Sequence, residues 1–302
     1  MEQSVYHIPA LLEDSIKGLD IKPGGTYADV TFGGGGHSRA ILEHLGPEGI
    51  LFGFDRDTDA LANAPLDRRF KFVHSDFRYI SNFLHFYGHD CIDGIIADLG
   101  VSFHHFDASD RGFSFRSDAP LDMRMNRNGG KTAAEVLNSY NKEELEQLFR
   151  AFTDLKRPGL IASAIVKSRE AQPLETTFQL VDAVRPTINP RAEKKDLAQV
   201  FQAIRIEVNG EMKALQCLLQ QSLRVLKPGG RIAIITYHSI EDRLVKNFLR
   251  SGNIEGKIEQ DIFGNINSPW KTITRSPIVP SEAEIEANPR SRSAKLRIAE
   301  KI

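Results

Sequence analysis

The first part of the chain alternates short apolar runs with segments of helical periodicity. The apolar runs are rich in Ile, Val, Phe or Tyr and predict β-strands over Tyr27 to Phe32, Ile50 to Asp55, Phe70 to His74 and Ile92 to Leu99. The segments between them predict helices over Arg39 to Leu45, Asp59 to Ala64 and Tyr79 to Tyr87. Strand, helix and strand at this spacing are typical of βαβ units, which build a parallel sheet.

The pattern changes at about Arg111. Residues 111–127 are polar with alternating charges and predict a long loop beside the ligand site, which we expect to be mobile. Capping-box spacing, which marks helix starts, then occurs twice, at Thr132 with Glu135 and at Asn141 with Glu144. No strand is needed before about Lys195, so the sequence predicts an inserted all-helical domain that, with the loop, covers residues 111–199.

The α/β pattern resumes at about residue 200 with a long helix that contains Met212 and Leu226. Lys227-Pro228-Gly229-Gly230 predicts a turn that ends this helix, and a strand is predicted over Arg231 to Tyr237. An antiparallel pair of strands at the sheet edge is predicted over Lys257 to Phe263 and Lys271 to Thr274. The prediction is an α/β fold with a Rossmann-like sheet of about seven strands, formed by residues 1–110 and 200–302.

Composition and charge narrow the function only slightly. Among 302 residues, 39 Lys and Arg stand against 40 Asp and Glu, so net charge gives no argument for a nucleic acid or a membrane partner. The 2 cysteines cannot build a disulfide framework. No signal peptide or membrane-spanning apolar run is visible, and we expect a cytoplasmic protein without a membrane partner.

The clearest chemical signal is a glycine-rich turn after the first predicted strand. Gly33 to Gly36 and His37 precede a predicted helix, and glycines there let the backbone approach a ligand at a helix N-terminus. Acids also end or follow the first four strands, at Asp29, Asp55, Asp76 and Asp98. Because the carboxyl ends of parallel strands form one crevice, these features favour a ribose-containing ligand over a simple tight connection.

Two kinds of ligand fit such a turn. The nicotinamide dinucleotide motif has glycines at its first, third and sixth positions. Counted from Gly33, the first and third positions are Gly33 and Gly35, but the sixth is Ser38. An acid before the glycines, Asp29, fits S-adenosylmethionine sites better, and Phe77 stands where an adenine could be held. A nicotinamide-dependent oxidoreductase remains the alternative.

A series of short sequence motifs, in order from His7 to Arg297, resembles those of the RsmH (MraW) family of bacterial 16S rRNA cytosine-N4 methyltransferases. The most specific are Asp29 to Ser38, Asp98 to Ser102, Arg111 to Phe115, Pro120 to Met125, Tyr237 to Arg243 and Asn288 to Ala294. The resemblance implies N4-methylation of one cytidine in the decoding centre of small-subunit rRNA. It also implies S-adenosylmethionine as the methyl donor. Because a sulfonium methyl is already activated, the enzyme mainly has to align donor and amine, and the residues fit this chemistry without a metal.

The cofactor-binding residues expected from the turn and the resemblance are Gly33, Gly34, Gly35, Gly36, His37, Asp55, Phe77, Asp98 and His105. The chain departs from the family at two of the relevant positions. It has Ser102-Phe103-His104-His105 where the family often has Ser-Ser-Pro-Gln, and Tyr237 where the family usually has Phe. The first departure weakens the transfer of a cofactor contact to His105, and the second retains an aromatic ring.

Three residues are candidates for catalysis. Asp98, at the end of the fourth strand, could accept a proton from the cytosine amine, or it could only hold the cofactor; the sequence favours neither role. Tyr237 could lie against the target base, since an extruded base is held on aromatic faces. His238 could touch the base, or its ring could simply bond the backbone beside Ser239.

Contact with RNA must come from local charge. The last residues of the chain are basic, and the resemblance favours Arg290, Arg292 and Lys295 as phosphate contacts over a solvated basic tail. The expected partner is 16S rRNA within the small ribosomal subunit, with the helical insert contributing to its recognition. No protein partner is predicted, and a non-catalytic RNA-binding assembly factor remains a further alternative.

Overall fold

The computed structural model describes residues 9–99, 111–127, 129–260, 263 and 266–302. The chain divides into two compact units, which we call the sheet unit (residues 1–100 and 213–302) and the helical unit (residues 101–212). The predicted boundaries are at residues 110 and 200. The second boundary differs because Leu197, Val200 and Phe201 pack in the apolar core of the helical unit, so the helix that carries them belongs there.

The sheet unit contains one seven-stranded sheet with the order β3-β2-β1-β4-β5-β7-β6. The strands are β1 Thr26–Asp29, β2 Ile50–Asp55, β3 Phe70–His74, β4 Ile92–Asp98, β5 Leu226–Thr236, β6 Trp270–Thr272 and β7 Lys295–Lys301. β1 to β5 pair in parallel, whereas β7 pairs antiparallel with both β5 and β6. The predicted α/β class with about seven strands is confirmed.

The described α-helices are numbered along the chain. They are α1 Leu12–Leu19, α2 Gly36–His44, α3 Ile80–Phe86, α4 Ala133–Ser139, α5 Lys142–Phe152, α6 Pro158–Ala171, α7 Thr177–Val184, α8 Glu193–Asn209, α9 Glu211–Val225, α10 Ser239–Ser251 and α11 Glu282–Ala287. The helix predicted over Asp59 to Ala64 is a short 3-10 segment, Thr58–Asn63. None of the described helices is long and apolar enough to cross a membrane.

Two predictions in the second half of the sheet unit are wrong. Lys227 to Gly230 do not form a turn before the strand; they lie within β5 as an irregularity, because Ile92 pairs with Leu226 whereas Gly94 pairs with Arg231. The edge pair is also different, since β6 pairs with β7. In the described part of residues 257–263, Gln260 forms only an isolated bridge with Ile266.

The C-terminal basic segment is a strand rather than a solvated tail. β7 lies between β5 and β6, and Arg297 is 7% exposed on it, with Nε 2.6 Å from Asp242 Oδ1 on α10. Although burial opposes the effect, Arg297 and Lys295 hold the pKa of Asp242 below its ordinary value. The charge pattern concealed this strand because its basic residues alternate with buried apolar ones such as Leu296 and Ile298.

The helical unit is built as its start signals predict. Both capping boxes are present: Thr132 caps α4 with Glu135, and Asn141 caps α5 with Glu144. The core is made of apolar side chains from all five described helices α4 to α8, among them Val136, Leu145, Phe149, Ile165, Leu180 and Ile204. These contacts explain why the insert forms a compact unit of its own.

Residues 111–127 contribute to this core instead of remaining a polar loop. Phe113, Leu121 and Met123 are at most 5% exposed within it. The Asn209 side chain holds the segment from α8, since Nδ2 donates to the Met123 carbonyl at 2.8 Å and Oδ1 accepts from the Met125 N–H at 2.8 Å. Burial and these hydrogen bonds argue against the expected mobility at these positions.

Candidate active site

The glycine-rich turn connects β1 to α2. Gly33 and Gly35 have φ values of 48° and 73°, in the left-handed region that favours glycine. A Cβ on Gly35 would lie 2.8 Å from Phe32 Cε2, so a side chain there is excluded by space as well as by conformation. Phe32 is fixed in turn by Phe70 and Phe72, with ring centroids 5.1 and 5.5 Å away. The turn therefore exposes main chain without a side chain at Gly35, and it packs against the fixed ring of Phe32.

Asp29, at the end of β1, is 1% exposed and holds the turn together. Its Oδ2 accepts from the Ser38 hydroxyl at 2.7 Å, and its Oδ1 accepts from the Thr31 N–H at 3.2 Å. Burial raises the pKa of Asp29, an effect that nearby His37 and these two hydrogen bonds oppose. Both oxygens face the protein's own turn, so this acid shapes the site.

Asp55 ends β2 and reaches the same turn. Its Oδ2 accepts from the Gly33 N–H at 2.8 Å, and its Oδ1 accepts from the Asp57 N–H at 2.8 Å. Burial raises the pKa of Asp55, although both hydrogen bonds oppose it. Each oxygen retains a lone pair, so the carboxylate can still accept hydroxyl donors such as those of a ribose. Asn63 supports the turn from the other side by donating to the Gly33 carbonyl at 3.0 Å.

The third acid, Asp76, forms salt bridges with two arginine side chains. It is 8% exposed, and its Oδ2 lies 3.3 Å from Arg56 Nη1 and 3.0 Å from Arg78 Nη2. Its Oδ1 accepts from the Arg78 N–H at 2.8 Å and caps the short 3-10 segment that begins at Phe77. Phe77 is half-buried there, and its assignment to the adenine remains a prediction.

His37 lies in the first turn of α2 and is 5% exposed. Within the described part of the chain its Nε2 has no hydrogen-bond partner. A buried polar atom without a partner is uncommon in folded proteins and is satisfied by water, an ion or a ligand. This buried nitrogen beside the glycine-rich turn is a candidate ligand contact, and the assignment of His37 to the cofactor remains a prediction.

Asp98 ends β4 and is contacted from two sides. Its N–H donates to Thr31 Oγ1 at 2.6 Å. Its carboxylate accepts a hydrogen bond from the phenol of Tyr237, which follows β5. Burial first, and then the negative charge of Asp98, raise the pKa of Tyr237 far above its ordinary value, so the phenol stays protonated and remains a donor. The structure thus brings together Asp98 and Tyr237.

His238 is oriented by its own helix. Its Nδ1 accepts from the Glu241 N–H at 3.4 Å and caps α10. Its Nε2 lies 3.0 Å from Glu241 Oε1, although the two atoms are poorly aligned for a hydrogen bond. Glu241 is 3% exposed and also accepts from the Tyr237 N–H at 3.1 Å. These local contacts favour the second of the two readings of His238, a bond to the backbone.

The sequence profile of the MraW methylase family matches residues 4–302. The chain belongs to the MraW methylase family. It is similar to the ribosomal RNA small subunit methyltransferase H of Parabacteroides distasonis, with 57% identity over 302 residues, 100% of this chain and 99% of that protein. The protein of the same name from Bacteroides thetaiotaomicron is 54% identical over 300 residues, 99% of each chain. That from Christiangramia forsetii is 52% identical over 297 residues, 98% of each chain.

Membership of the MraW methylase family confirms the resemblance, the methyltransferase fold and the assignment as an enzyme of methyl transfer. It sets aside the nicotinamide-dependent oxidoreductase, in agreement with Ser38 in the place of the third glycine. The assignments of individual site residues remain predictions, and His105 lies outside the described residues.

The predicted RNA contacts of this MraW methylase lie near the start of β7. Arg290 and Arg292 are exposed in the short 3-10 segment Pro289–Ser293. Lys295 begins β7, and its Nζ is 3.6 Å from Asp242 Oδ2 with the side chain 41% exposed. The role of these three residues as phosphate contacts remains a prediction.

Several side chains outside the predicted set hold the glycine-rich turn. The Arg39 guanidinium donates to the Gly34 carbonyl at 2.6 Å, and the Asn63 side chain donates to the Gly33 carbonyl at 3.0 Å. Thr31 accepts the Asp98 N–H, and its position two residues after the acid that ends β1 is a signal visible in the sequence. Nothing in the sequence marks Asn63, because its contact depends on how the chain folds back after β2.

Proposed function

We propose that this protein methylates the exocyclic N4 of a cytidine in the decoding centre of 16S rRNA, within the small ribosomal subunit. S-adenosylmethionine is the methyl donor. The observation that carries the proposal is the Asp98–Tyr237 pair at the ends of β4 and β5, in a chain that belongs to the MraW methylase family. The names of the relatives at 52% to 57% identity support ribosomal RNA as the substrate.

The glycine-rich turn fits the donor. Gly35 leaves no space for a Cβ, and the orphaned Nε2 of His37 at the start of α2 offers a donor to a carboxylate such as that of the methionine part. Asp55 keeps acceptor capacity for ribose hydroxyls. Gly33 to His37, Asp55, Phe77 and Asp98 would hold the donor. When bound, it supplies a methyl group that its sulfonium charge has already activated.

Asp98 is the proposed proton acceptor. The lone pair of the cytosine amine is delocalised into the ring, so the amine is a weak nucleophile. A carboxylate that accepts a hydrogen bond from this amine raises the electron density on nitrogen. It would take the proton that the amine loses when the methyl group passes to N4 and the donor, its C–S bond broken, leaves as a neutral thioether. Tyr237 donates to the carboxylate of Asp98 and fixes its orientation, and the amine would donate to another lone-pair position of the same carboxylate.

Tyr237 also offers an aromatic face to the target base, which must leave its stack to reach Asp98. His238 contributes through its position beside Tyr237, because Glu241 engages its ring. Arg290, Arg292 and Lys295 supply phosphate contacts, and the helical unit supplies further surface for recognition of the folded rRNA. A few basic side chains suffice where shape carries much of the specificity, which agrees with the net charge of −1.

The deciding experiment uses labelled S-adenosylmethionine and small ribosomal subunits from cells that lack this modification. We expect labelled N4-methylcytidine at a single position after nuclease digestion. Asp98→Asn should abolish most of the signal, whereas Asp90→Asn, whose side chain is 76% exposed, serves as the matched control and should retain it. Absence of labelled N4-methylcytidine with the wild-type enzyme would overturn the proposal. Full cellular function of the Asp98 variant would instead support a non-catalytic assembly factor.

A further inference from the structure

The backbone after β1 alternates between its two neighbouring strands. Val30 N–H donates to the Ile96 carbonyl of β4 at 2.9 Å, and Phe32 N–H donates to the Phe54 carbonyl of β2 at 2.9 Å. The last registered pair between β1 and β4 is Asp29 with Ile96. Beyond this pair the chain enters the glycine-rich turn, and β1 no longer provides a partner for the end of β4.

The end of β4 nevertheless has its donors satisfied. Leu99 N–H donates to the Ile235 carbonyl of β5 at 3.0 Å, so the preceding N–H, that of Asp98, faces the opposite side, where β1 has ended. Thr31 Oγ1 accepts this N–H at 2.6 Å. The Thr31 side chain therefore replaces the strand partner that the turn removes.

The same threonine is fixed to the turn. Its N–H donates to Asp29 Oδ1 at 3.2 Å, and Asp29 Oδ2 accepts from Ser38 on α2 at 2.7 Å. A continuous path of hydrogen bonds runs from α2 through Asp29 and Thr31 to the backbone of Asp98. Since methyl transfer requires the donor and the amine in line, the distance between the turn and Asp98 has to be set closely.

We propose that Thr31 is a positioning residue that sets the place of Asp98 relative to the glycine-rich turn. This inference rests on the proposed function, because its readout is methyl transfer to cytidine. Thr31 acts through Asp98, and its effect belongs to the rate of transfer rather than to the affinity for the donor.

The test compares Thr31→Val with Thr31→Ser. Valine keeps the branched shape and loses the acceptor, whereas serine keeps the acceptor. We expect the single-turnover rate of Thr31→Val to fall by about tenfold to a hundredfold, the range that a small misplacement of a reacting group produces. The Kd for S-adenosylmethionine, measured by calorimetry, should change little, and Thr31→Ser should restore most of the rate.

Thr274→Val is the matched control. Thr274 Oγ1 accepts the N–H of Ile298 in β7 at 3.0 Å, which is the same kind of contact, outside the site. It should lower thermal stability to a similar extent as Thr31→Val without lowering the rate. The inference is overturned if Thr31→Val transfers methyl groups at the wild-type rate, if its loss lies in donor affinity, or if serine and valine are equally impaired. A wild-type enzyme that forms no N4-methylcytidine would overturn the proposed function instead.

Discussion

The sheet unit buries charged side chains at the ends of its strands, whereas the core of the helical unit is apolar. Asp29, the last residue of β1, is 1% exposed, and Glu241, in the first turn of the helix α10 that follows β5, is 3% exposed. Each accepts hydrogen bonds from its own surroundings. The core of the helical unit contains side chains such as Leu145 and Phe149, both 0% exposed. Arg111, buried in the helical unit, donates to the Arg124 and Met125 carbonyls and so fixes main chain.

The difference separates two kinds of contribution. Burying a charge costs free energy, and it is retained where it orients a backbone or a reacting group. An apolar core has no such cost and supplies stability. We therefore expect substitutions at the strand ends of the sheet unit to change donor binding or catalysis, and substitutions in the core of the helical unit to change the free energy of unfolding.

The largest expected effect is that of Asp98→Asn on catalysis. The amide still accepts the Tyr237 hydrogen bond but cannot take a proton, so kcat should fall by about 10²- to 10⁴-fold. Calorimetry should show a much smaller loss of affinity for S-adenosylmethionine, because the amide keeps a hydrogen-bonding oxygen toward the donor. If that affinity falls as far as kcat, Asp98 only holds the donor, and the strand ends would be a binding site without a proton acceptor.

Phe149→Ala tests the apolar side of the comparison. Removing this ring, 0% exposed in the helical core, should lower the free energy of unfolding by about 3–5 kcal/mol in urea titrations. Phe178→Ala is the matched control, because Phe178 is 44% exposed and should cost about half as much or less. The Kd for S-adenosylmethionine of the folded variant should be that of the wild type, and a large change in it would erase the distinction between the units.

Gly35→Ala sharpens the comparison within the sheet unit. The left-handed φ of 73° and the contact with Phe32 should weaken S-adenosylmethionine binding by about tenfold or more, since the conformation alone costs about 1–2 kcal/mol. Gly88→Ala has a similar φ of 77° and open space around its Cβ. It should lower stability without affecting the Kd, and equal losses of affinity in both variants would show that strain alone, without proximity to the site, explains the effect.

The smallest expected effect concerns a polar contact in the helical unit. Tyr140 Oη donates to Glu207 Oε1 at 2.7 Å, and this hydrogen bond, with burial, raises the pKa of Tyr140 from 10.0 to about 12. A raised pKa means that the contact stabilises the fold fully below pH 10 and is lost as the pH approaches 12.

Tyr140→Phe should accordingly lower the free energy of unfolding by about 0.5–1.5 kcal/mol at pH 8. The difference from the wild type should shrink as the pH rises past 10, in urea titrations over that range. The contributions of the other tyrosines and lysines to the pH dependence of the free energy of unfolding are the same in both proteins and cancel in the difference. A difference that stays constant up to pH 11 would mean that the lost packing of the hydroxyl, and not its proton, accounts for the effect.

Much of the fold is predictable because helix caps and strand ends depend on residues close together in the sequence. The capping boxes at Thr132 and Asn141 depend on residues three positions apart, and the strand ends at Asp55 and Asp98 follow from short apolar runs. β7 was missed because its pairing partners, β5 and β6, are distant in sequence and its basic residues resemble a tail. The irregularity at Lys227 to Gly230 is set by the register with β4, which no turn signal contains.

The sequence by itself determined the α/β class, the family and the identity of the strand-end acids, because each rests on periodicity or on contiguous motifs. Only the tertiary structure decided which groups those acids contact. It shows Asp29 turned toward its own loop, Asp76 engaged by Arg56 and Arg78, and Asp98 held between Thr31 and Tyr237. These partners come from separate strands and turns. Their hydrogen bonds form only when the strands pair, so no single stretch of sequence can predict them.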